Sequence, residues 1–383
     1  MVDPARLRAT DAVWQLAPYQ PGKPIGELQR ELGLSDIIKL ASNENPCGPG
    51  PAALSAMAAV ANDCWLYPDG SGFELKSTLA AALGVSPAQI TLGNGSNDLL
   101  VMLAEVFLEK GCSAVVSQYA FAVYPTAVAA TGAQLRCAPA LSRDHPTMPL
   151  GHDLAAMATL IDSTTRLVFI ANPNNPTGTL LRRNALHQFL ATLPSDCVAV
   201  LDEAYFEYAR DSDGSDGSDG SDGVAWLAEF ANLVVVRTFS KAFGLAGLRV
   251  GYAVSSVAVA DLLNRVRQPF NVSNLGLAAA VAAFGDQEHL AESVAVVKAG
   301  HAQLRTGFED LGLAIIPSAA NFFLVEFGRF AAAVFQGLLR EGVIVRPVGN
   351  YGLDGFLRIT IGTTSQNARL LAALAKVLGP LRA

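Results

Sequence analysis

Residues 166–178 read R-L-V-F-I-A-N-P-N-N-P-T-G. An unbroken apolar run, without polar alternation, is what a strand buried on both faces requires, and such strands make up parallel sheets covered by helices. Directly after Ile170 the chain changes to A-N-P-N-N-P-T-G, residues 171–178, with three side-chain amides and two prolines. Ligands of open α/β sheets collect at the carboxyl ends of the strands, so this turn is a candidate binding element. A rigid structural turn also accounts for Pro173 and Pro176, but less well for Asn175.

Similar short apolar runs lie on either side, at Ser113–Ser117, Gln134–Ala138, Cys197–Asp202 and Leu233–Thr238. Between some of them, Asp98–Leu108 and Arg183–Leu193 carry helical periodicity. The alternation predicts an α/β fold with a mostly parallel sheet of about seven strands and helices on both faces. A helical stretch from about Leu275 to Leu311 leads into a second αβ unit with strands at Phe322–Phe327, Val343–Arg346 and Phe356–Ile361. We therefore expect residues 1–45 to join a small domain, 46–285 to form a large domain and 286–383 to form the small one. Ser212–Gly223 is four copies of Ser-Asp-Gly. It lacks the distal carboxylate of an EF-hand loop and reads as a flexible surface insertion.

Bulk properties narrow the function. With 51% hydrophobic and 16% charged residues the chain is globular rather than disordered. A formal charge of −7 opposes general affinity for nucleic acid or anionic membrane, so any bound phosphate must be met by a few placed cations and backbone amides. The five cysteines are scattered without a C-x-x-C pair and the histidines show no H-E-x-x-H spacing, which points to a reducing compartment and no metal. The opening MVDPARLRATDAVWQL lacks the apolar core of a signal peptide, and the longest apolar stretch, Leu275–Phe284, is too short to span a bilayer. A cytoplasmic enzyme is expected.

Several motifs fail. Gly93-x-Gly95 is followed by Asp98 where a dinucleotide fingerprint needs glycine, and Gly22-Lys23 has Ala17 where a P-loop needs its first glycine. Four others remain. T-L-G-N-G-S-N-D, residues 91–98, precedes a helix whose free N–H groups suit a phosphate. Alone it reads as a capped turn, with Asn97 and Asp98 as N-cap candidates. The second is the asparagine-proline turn. The third, L-D-E-A-Y at 201–205, ends a strand on Asp202, a carboxylate that is costly to bury without a cation; a helix N-cap is the alternative. The fourth is T-F-S-K-A-F-G-L-A-G-L-R-V-G-Y, residues 238–252. Lys241 stands there among small and apolar neighbours, which suits a Schiff-base amine. Gly244, Gly247 and Gly251 permit close backbone approach.

The fixed order of these motifs resembles the fold-type I aminotransferases, which use pyridoxal 5′-phosphate (PLP). Y-Q-P-G-K-P-I and K-L-A-S-N-E-N-P near the N-terminus, with L-Y-P-D-G, are similar to the histidinol-phosphate aminotransferase branch. The resemblance runs from about Tyr19 to Leu378 and leaves out only the Ser-Asp-Gly copies. It implies that Lys241 holds PLP covalently and moves the proton between the substrate carbon and the cofactor, and that Asp202 pairs with the pyridinium nitrogen. It further implies that Tyr205 and Asn175 reach the phenolic oxygen and that the Phe121 ring stacks on the pyridine; a core position is the alternative for Phe121. Gly95, Ser96, Asn97, Ser240 and Arg249 would hold the cofactor phosphate. Tyr67 would reach the phosphate of a neighbouring subunit's cofactor, which implies a homodimer; the alternative is an ordinary buried aromatic. Arg358 would clamp the α-carboxylate of glutamate or the phosphate of histidinol phosphate, helped by Arg346 and Tyr19, with Asn43 near the substrate entrance.

The implied reaction exchanges an amino group between histidinol phosphate and 2-oxoglutarate, giving imidazole-acetol phosphate and glutamate. Rival readings are an aromatic amino-acid aminotransferase, a threonine-phosphate decarboxylase and the sensor half of a transcription regulator. The acidic charge, and the lack of room for a DNA-binding domain before Tyr19, oppose the last of these.

Overall fold

The computed structural model describes residues 11–14, 16, 22–210 and 222–382. Tyr19 and most of the Ser-Asp-Gly copies lie outside the described residues. In chain order the strands are β1 (Ile38–Lys39), β2 (Ile90–Asn94), β3 (Ser113–Ser117), β4 (Gln134–Ala138), β5 (Thr165–Ala171), β6 (Val198–Asp202) and β7 (Leu233–Thr238). They continue with β8 (Val250–Val254), β9 (Ala314–Ile316), β10 (Phe322–Glu326), β11 (Val343–Ile344), β12 (Arg346–Pro347) and β13 (Phe356–Thr360).

Among the described residues, seven strands form the main sheet in the order β2-β8-β7-β6-β5-β3-β4. Only β8 runs against the others. The mostly parallel α/β sheet expected from the sequence is therefore present. Its central strands alternate strictly between two cores: Val168 and Ile170 of β5 and Ala199 and Leu201 of β6 face one layer, while Leu167, Phe169, Val198 and Val200 face the other. The Phe73–Leu83, Arg183–Thr192 and Asn274–Gly285 helices cover the first layer, and the Ser96–Phe107, Val123–Ala130 and Val257–Val266 helices cover the second. Burial on both faces explains why these strands read as continuous apolar runs. The edge strand β4, by contrast, keeps Gln134 exposed and carries Arg136 to an ion pair with Asp162.

A second, antiparallel sheet runs β12-β13-β10-β9, and β1 pairs in parallel with β11. A separate apolar cluster lies around this sheet and draws in Leu40, Tyr205, Tyr208 and Ala242.

Four local expectations change. The helical stretch near Leu275–Leu311 breaks at Asp286, whose side chain accepts from the His289 amide and caps the Gln287–Asp310 helix. The run Val343–Arg346 splits, with Val343 pairing to Ile38 and Arg346 to Arg358. β8 and β9 were not expected as strands, since V-G-Y-A-V is short and contains glycine. The last Ser-Asp-Gly copy is also no free insertion. Asp222 accepts from Arg237 at 2.7 Å, and Gly223 is buried with its N–H donating to Glu203 at 2.9 Å.

Antiparallel β8 returns the chain to the carboxyl edge of β7, pairing Gly251 with both Thr238 and Gly93. A Cβ at Gly251 would lie 2.4 Å from the Ser96 nitrogen, and one at Gly244, which has φ +70°, would lie 2.0 Å from the Gly48 carbonyl oxygen. Nothing stands within 4 Å of a Cβ at Gly247, so that glycine is not needed for close approach. We expect Gly244→Ala and Gly251→Ala to lower the melting temperature, with overpacking costs of about 1–3 kcal/mol. Gly247→Ala should stay within about 0.5 kcal/mol of wild type. Thermal melts of the three variants check this ordering.

Candidate active site

The parallel strands all end at one edge, and their following turns enclose a cavity of about 580 Å³. Its wall includes Ser96, Asn97, Phe121, Asn175, Asp202, Tyr205, Ser240, Lys241, Arg249, Arg346, Arg358 and Asn43. The sequence motifs thus meet in space because each follows a different strand of one sheet: β2, β5, β6 and β7, with Arg249 just before β8. Among the described residues, the charged side chains of this wall are four cations and one carboxylate. In a chain of net charge −7, that concentrates positive potential where an anion would bind.

Lys241 is half-buried, and its Nζ donates to the Ser42 carbonyl at 3.2 Å and lies 5.6 Å from the centre of the Tyr205 ring. Burial, with Arg358 and Arg249 nearby, pulls its pKa down to about 8. About a tenth of the amine is then uncharged and nucleophilic at pH 7, far more than for an ordinary lysine. Asp202 is 5% exposed and receives the Tyr124 hydroxyl at 2.8 Å and the Ala204 amide at 3.2 Å. Burial still pushes its pKa up to about 6. It contrasts with its neighbour Glu203, which meets Arg237 through two bonds of 2.9 and 2.7 Å. Glu203 has a guanidinium against it, whereas the cation nearest in influence to Asp202 is Lys241.

Tyr205 is buried, and its hydroxyl receives Asn43 Nδ2 at 2.8 Å. Burial pushes its pKa up to about 12. Arg358 donates to Asn175 Oδ1 at 2.6 Å and to the Ala41 carbonyl at 2.8 Å. Arg346 stands directly opposite it across the β12–β13 pair, so both side chains project from one face of that sheet. They are only 9% and 7% exposed.

At the other end of the cavity, Gly95 with φ 75° opens the Ser96–Phe107 helix. A Cβ there would lie 2.3 Å from Arg249 Nη2, so the missing side chain lets the guanidinium lie against the turn. Arg249 also donates to Ser240 Oγ at 3.3 Å, and Ser240 receives the Thr238 hydroxyl at 3.0 Å. Asn97 and Asp98 fall inside the first turn rather than at the N-cap. Asp98 instead accepts from the Asn94 amide at 2.8 Å and from Asn271 at 2.9 Å.

Two residues stand apart from the others. Tyr67 is 82% exposed, does not line the cavity, and stacks on Phe270 at 4.7 Å, so it is no buried core aromatic. Asn43 is 1% exposed and stands behind Tyr205 rather than at an open entrance. Phe121 lies just before the Val123–Ala130 helix, half-buried on the cavity wall, with its ring edge-on to Tyr124. Tyr124 and Ser42 were missed. The available signal was a tyrosine inside the small-residue helix V-Y-P-T-A-V-A-A, whose buried hydroxyl needs a partner. Ser42 acts through its carbonyl, which side-chain chemistry does not reveal.

Among the described residues no His, Cys, Asp and Glu side chains gather as a metal site, and no helix is long and apolar enough to cross a membrane. The family description "Aminotransferase class I and II" matches residues 35–374. The chain is 57% identical over 373 residues to histidinol-phosphate aminotransferase 2 of Methylococcus capsulatus, covering 97% of this chain and 98% of the relative. It is 55% identical over 372 residues to histidinol-phosphate aminotransferase 2 of Pseudomonas fluorescens, covering 97% of each. The crystal structure of histidinol-phosphate aminotransferase from Sinorhizobium meliloti in complex with PLP superposes with a TM-score of 0.87 at 32% identity, covering 98% of both chains. With a family match spanning most of its length and relatives of this identity, the chain belongs to the class I and II aminotransferases.

Proposed function

We propose that this protein is a PLP-dependent histidinol-phosphate aminotransferase of histidine biosynthesis, exchanging the amino group between histidinol phosphate and 2-oxoglutarate to give imidazole-acetol phosphate and glutamate. The observation that carries the reading is one cavity holding a buried carboxylate and a lysine of lowered pKa at its centre and two facing arginines at one end.

The residues suit PLP. A carboxylate buried like Asp202 is favoured by a cationic partner, and a protonated pyridine nitrogen is such a partner. Gly95, Ser96 and Asn97 at a helix N-terminus, with Ser240 and Arg249, form a cradle for a phosphate. Asn175 and Tyr205 would meet the phenolic oxygen, and Phe121 the ring face. PLP, once bound, supplies a ring that withdraws electrons and stabilises negative charge at the substrate carbon beside the nitrogen. Lys241 would hold the cofactor, and its amine, of lowered pKa, would be the group that moves a proton to and from that carbon. Ser42 keeps its amine within the cavity. Arg358 binds the carboxylate of glutamate and, in the other half-reaction, the substrate phosphate. A phosphate monoester carries nearly two charges and three acceptor oxygens, so it recruits a second cation, and Arg346 stands opposite for that purpose. Like charges at directly opposed strand positions are unfavourable, and an anion bound near both relieves that repulsion.

Trp65, Leu66, Tyr67, Phe73 and Phe270 are large apolar side chains left exposed, as at surfaces that meet another chain. They support a homodimer in which Tyr67 reaches the partner's cofactor phosphate. We also place the enzyme in the cytoplasm, the compartment its scattered cysteines suit.

Borohydride reduction and peptide mapping should tag Lys241, and Lys241→Ala should lose the visible absorbance of bound PLP. A tag on any other lysine defeats the assignment.

A carboxyl whose folded pKa is raised favours folding while it is protonated. For Asp202 in the cofactor-free chain, that advantage is full below the ordinary value of 3.8 and is lost as pH rises through about 6. Asp202→Asn should therefore raise the melting temperature of the cofactor-free chain at about pH 8 and change it little at about pH 4. In the loaded enzyme the same substitution should lower turnover far more than PLP content. Near-normal turnover would make Asp202 structural.

Substrate identity is tested by single-turnover rates for each amino donor. Arg358→Ala should damage both half-reactions. Arg346→Ala should cost histidinol phosphate about one to two decades in kcat/KM, the equivalent of a lost charged hydrogen bond, and spare glutamate. Equal losses for both donors would remove the phosphate subsite. A wild-type preference for phenylalanine or tyrosine would make the protein an aromatic amino-acid aminotransferase.

A further inference from the structure

Three consecutive residues, Ala41, Ser42 and Asn43, each hold a different polar group of the cavity. Ala41 takes Arg358 through its carbonyl, Ser42 takes Lys241 in the same way, and Asn43 donates its side-chain amide to Tyr205. The third contact is directional. Asn43 is fixed at φ 57°, its backbone N–H donates to Thr360 Oγ1 at 3.0 Å, and the Thr360 hydroxyl donates back to Asn43 Oδ1 at 3.1 Å. Asn321 Nδ2 holds the Asn43 carbonyl at 3.0 Å. With Oδ1 taken by Thr360, the end of the amide that faces Tyr205 is its nitrogen. Reversing the amide would take from the buried Thr360 hydroxyl the acceptor it now uses.

A phenol has one hydrogen to give. If its oxygen already accepts from Asn43, its own hydrogen must point elsewhere. We propose that Asn43, braced by Thr360, is a positioning residue that commits Tyr205 to donate its hydrogen bond into the cavity. This rests on the reading of Tyr205 as a partner of the PLP phenolic oxygen. An oxygen that carries negative charge requires a donor, and a tyrosine that spent its hydrogen on Asn43 would present only lone pairs to it. Thr360 is two residues from Arg358 on β13, so the strand that carries the anion-binding arginine also fixes the tyrosine.

Among the described residues the other groups around Tyr205 include Arg358, Asp202, Lys241, Tyr351, Tyr124 and Tyr208, with the Phe322 ring against its own, and none is altered in the following variants. Asn43→Asp keeps the shape and tolerates the left-handed backbone but can only accept, so it draws the phenol hydrogen away from the cavity. Asn43→Gly also tolerates that backbone and simply removes the brace, and Thr360→Val frees the amide to turn.

Two readouts are compared with Tyr205→Phe. In the cofactor-free chain, the tyrosine Fermi doublet in resonance Raman difference spectra reports whether Tyr205 accepts or donates. In the PLP-loaded enzyme, the pH midpoint of the visible absorbance reports donation to the phenolic oxygen, because losing a donor raises the proton affinity of the group it stabilised. We expect Asn43→Asp to convert Tyr205 from acceptor to donor toward residue 43 and to raise the absorbance midpoint by about one unit, a tenfold change. Asn43→Gly and Thr360→Val should raise it by less, with PLP still bound. Wild-type doublets and midpoints in Asn43→Gly and Thr360→Val, beside a shifted Tyr205→Phe, overturn the proposal and leave the cofactor reading intact, even if the added charge of Asn43→Asp has an effect of its own. An unmoved midpoint in Tyr205→Phe overturns the reading of Tyr205 and this inference with it.

Discussion

Strands paired in parallel all end at the same edge of their sheet, and each must leave that edge through a turn. In this protein β5, β6 and β7 deliver the asparagine-proline turn, Asp202 and Lys241 to one place. The reversed strand β8 makes the arrangement complete. Because it begins where β7 ends, Arg249 reaches the start of the Ser96–Phe107 helix, which follows β2 on the far side. That contact is close enough that Gly95 and Gly251 must lack side chains. The meeting of Arg249 with the helix start is thus a product of strand order, joining residues about 150 positions apart in sequence.

Burial then acts on the charges gathered there. Adjacent carboxylates on the same strand end meet different fates. Glu203 faces Arg237, which lies against Phe206 and also takes Asp222, forming a closed structural ion pair. Asp202 faces the opposite layer, where it has a tyrosine hydroxyl and a backbone amide. The first arrangement secures the chain around the Ser-Asp-Gly copies. The second leaves a buried anion poised for a cation, and the lowered pKa of Lys241 comes from the same exclusion of water.

The small sheet places Arg346 and Arg358 on the cavity wall. It is tied to the large sheet by the segment between β1 and the Pro51–Val60 helix, which crosses the cavity wall. Asn45 in this segment bonds to the Ala242 carbonyl and to Ser293, so the crossing is fixed at both ends. Arg358, the lysine amine and Tyr205 are therefore held by one stretch of backbone.

The sequence alone determined the α/β class and most central strands, and it singled out Lys241, Asp202 and Asn175 beside strand ends, because uninterrupted apolar runs and the residues that follow them are local signals. The run V-L-D in β6 announces both a buried strand and a carboxylate at its end. Contacts between distant residues left no such trace. Nothing adjacent to Tyr124 in the sequence points to its partner Asp202, and Asn43, expected near an entrance, is instead enclosed by Thr360 and Tyr205. Val343–Arg346 read as one strand because propensity cannot tell which partner each residue will meet. Tertiary structure decided these points for a physical reason: hydrogen-bond direction, burial and the pairing of like charges depend on what lies across a sheet or cavity, and that neighbour is set by topology rather than by adjacent residues.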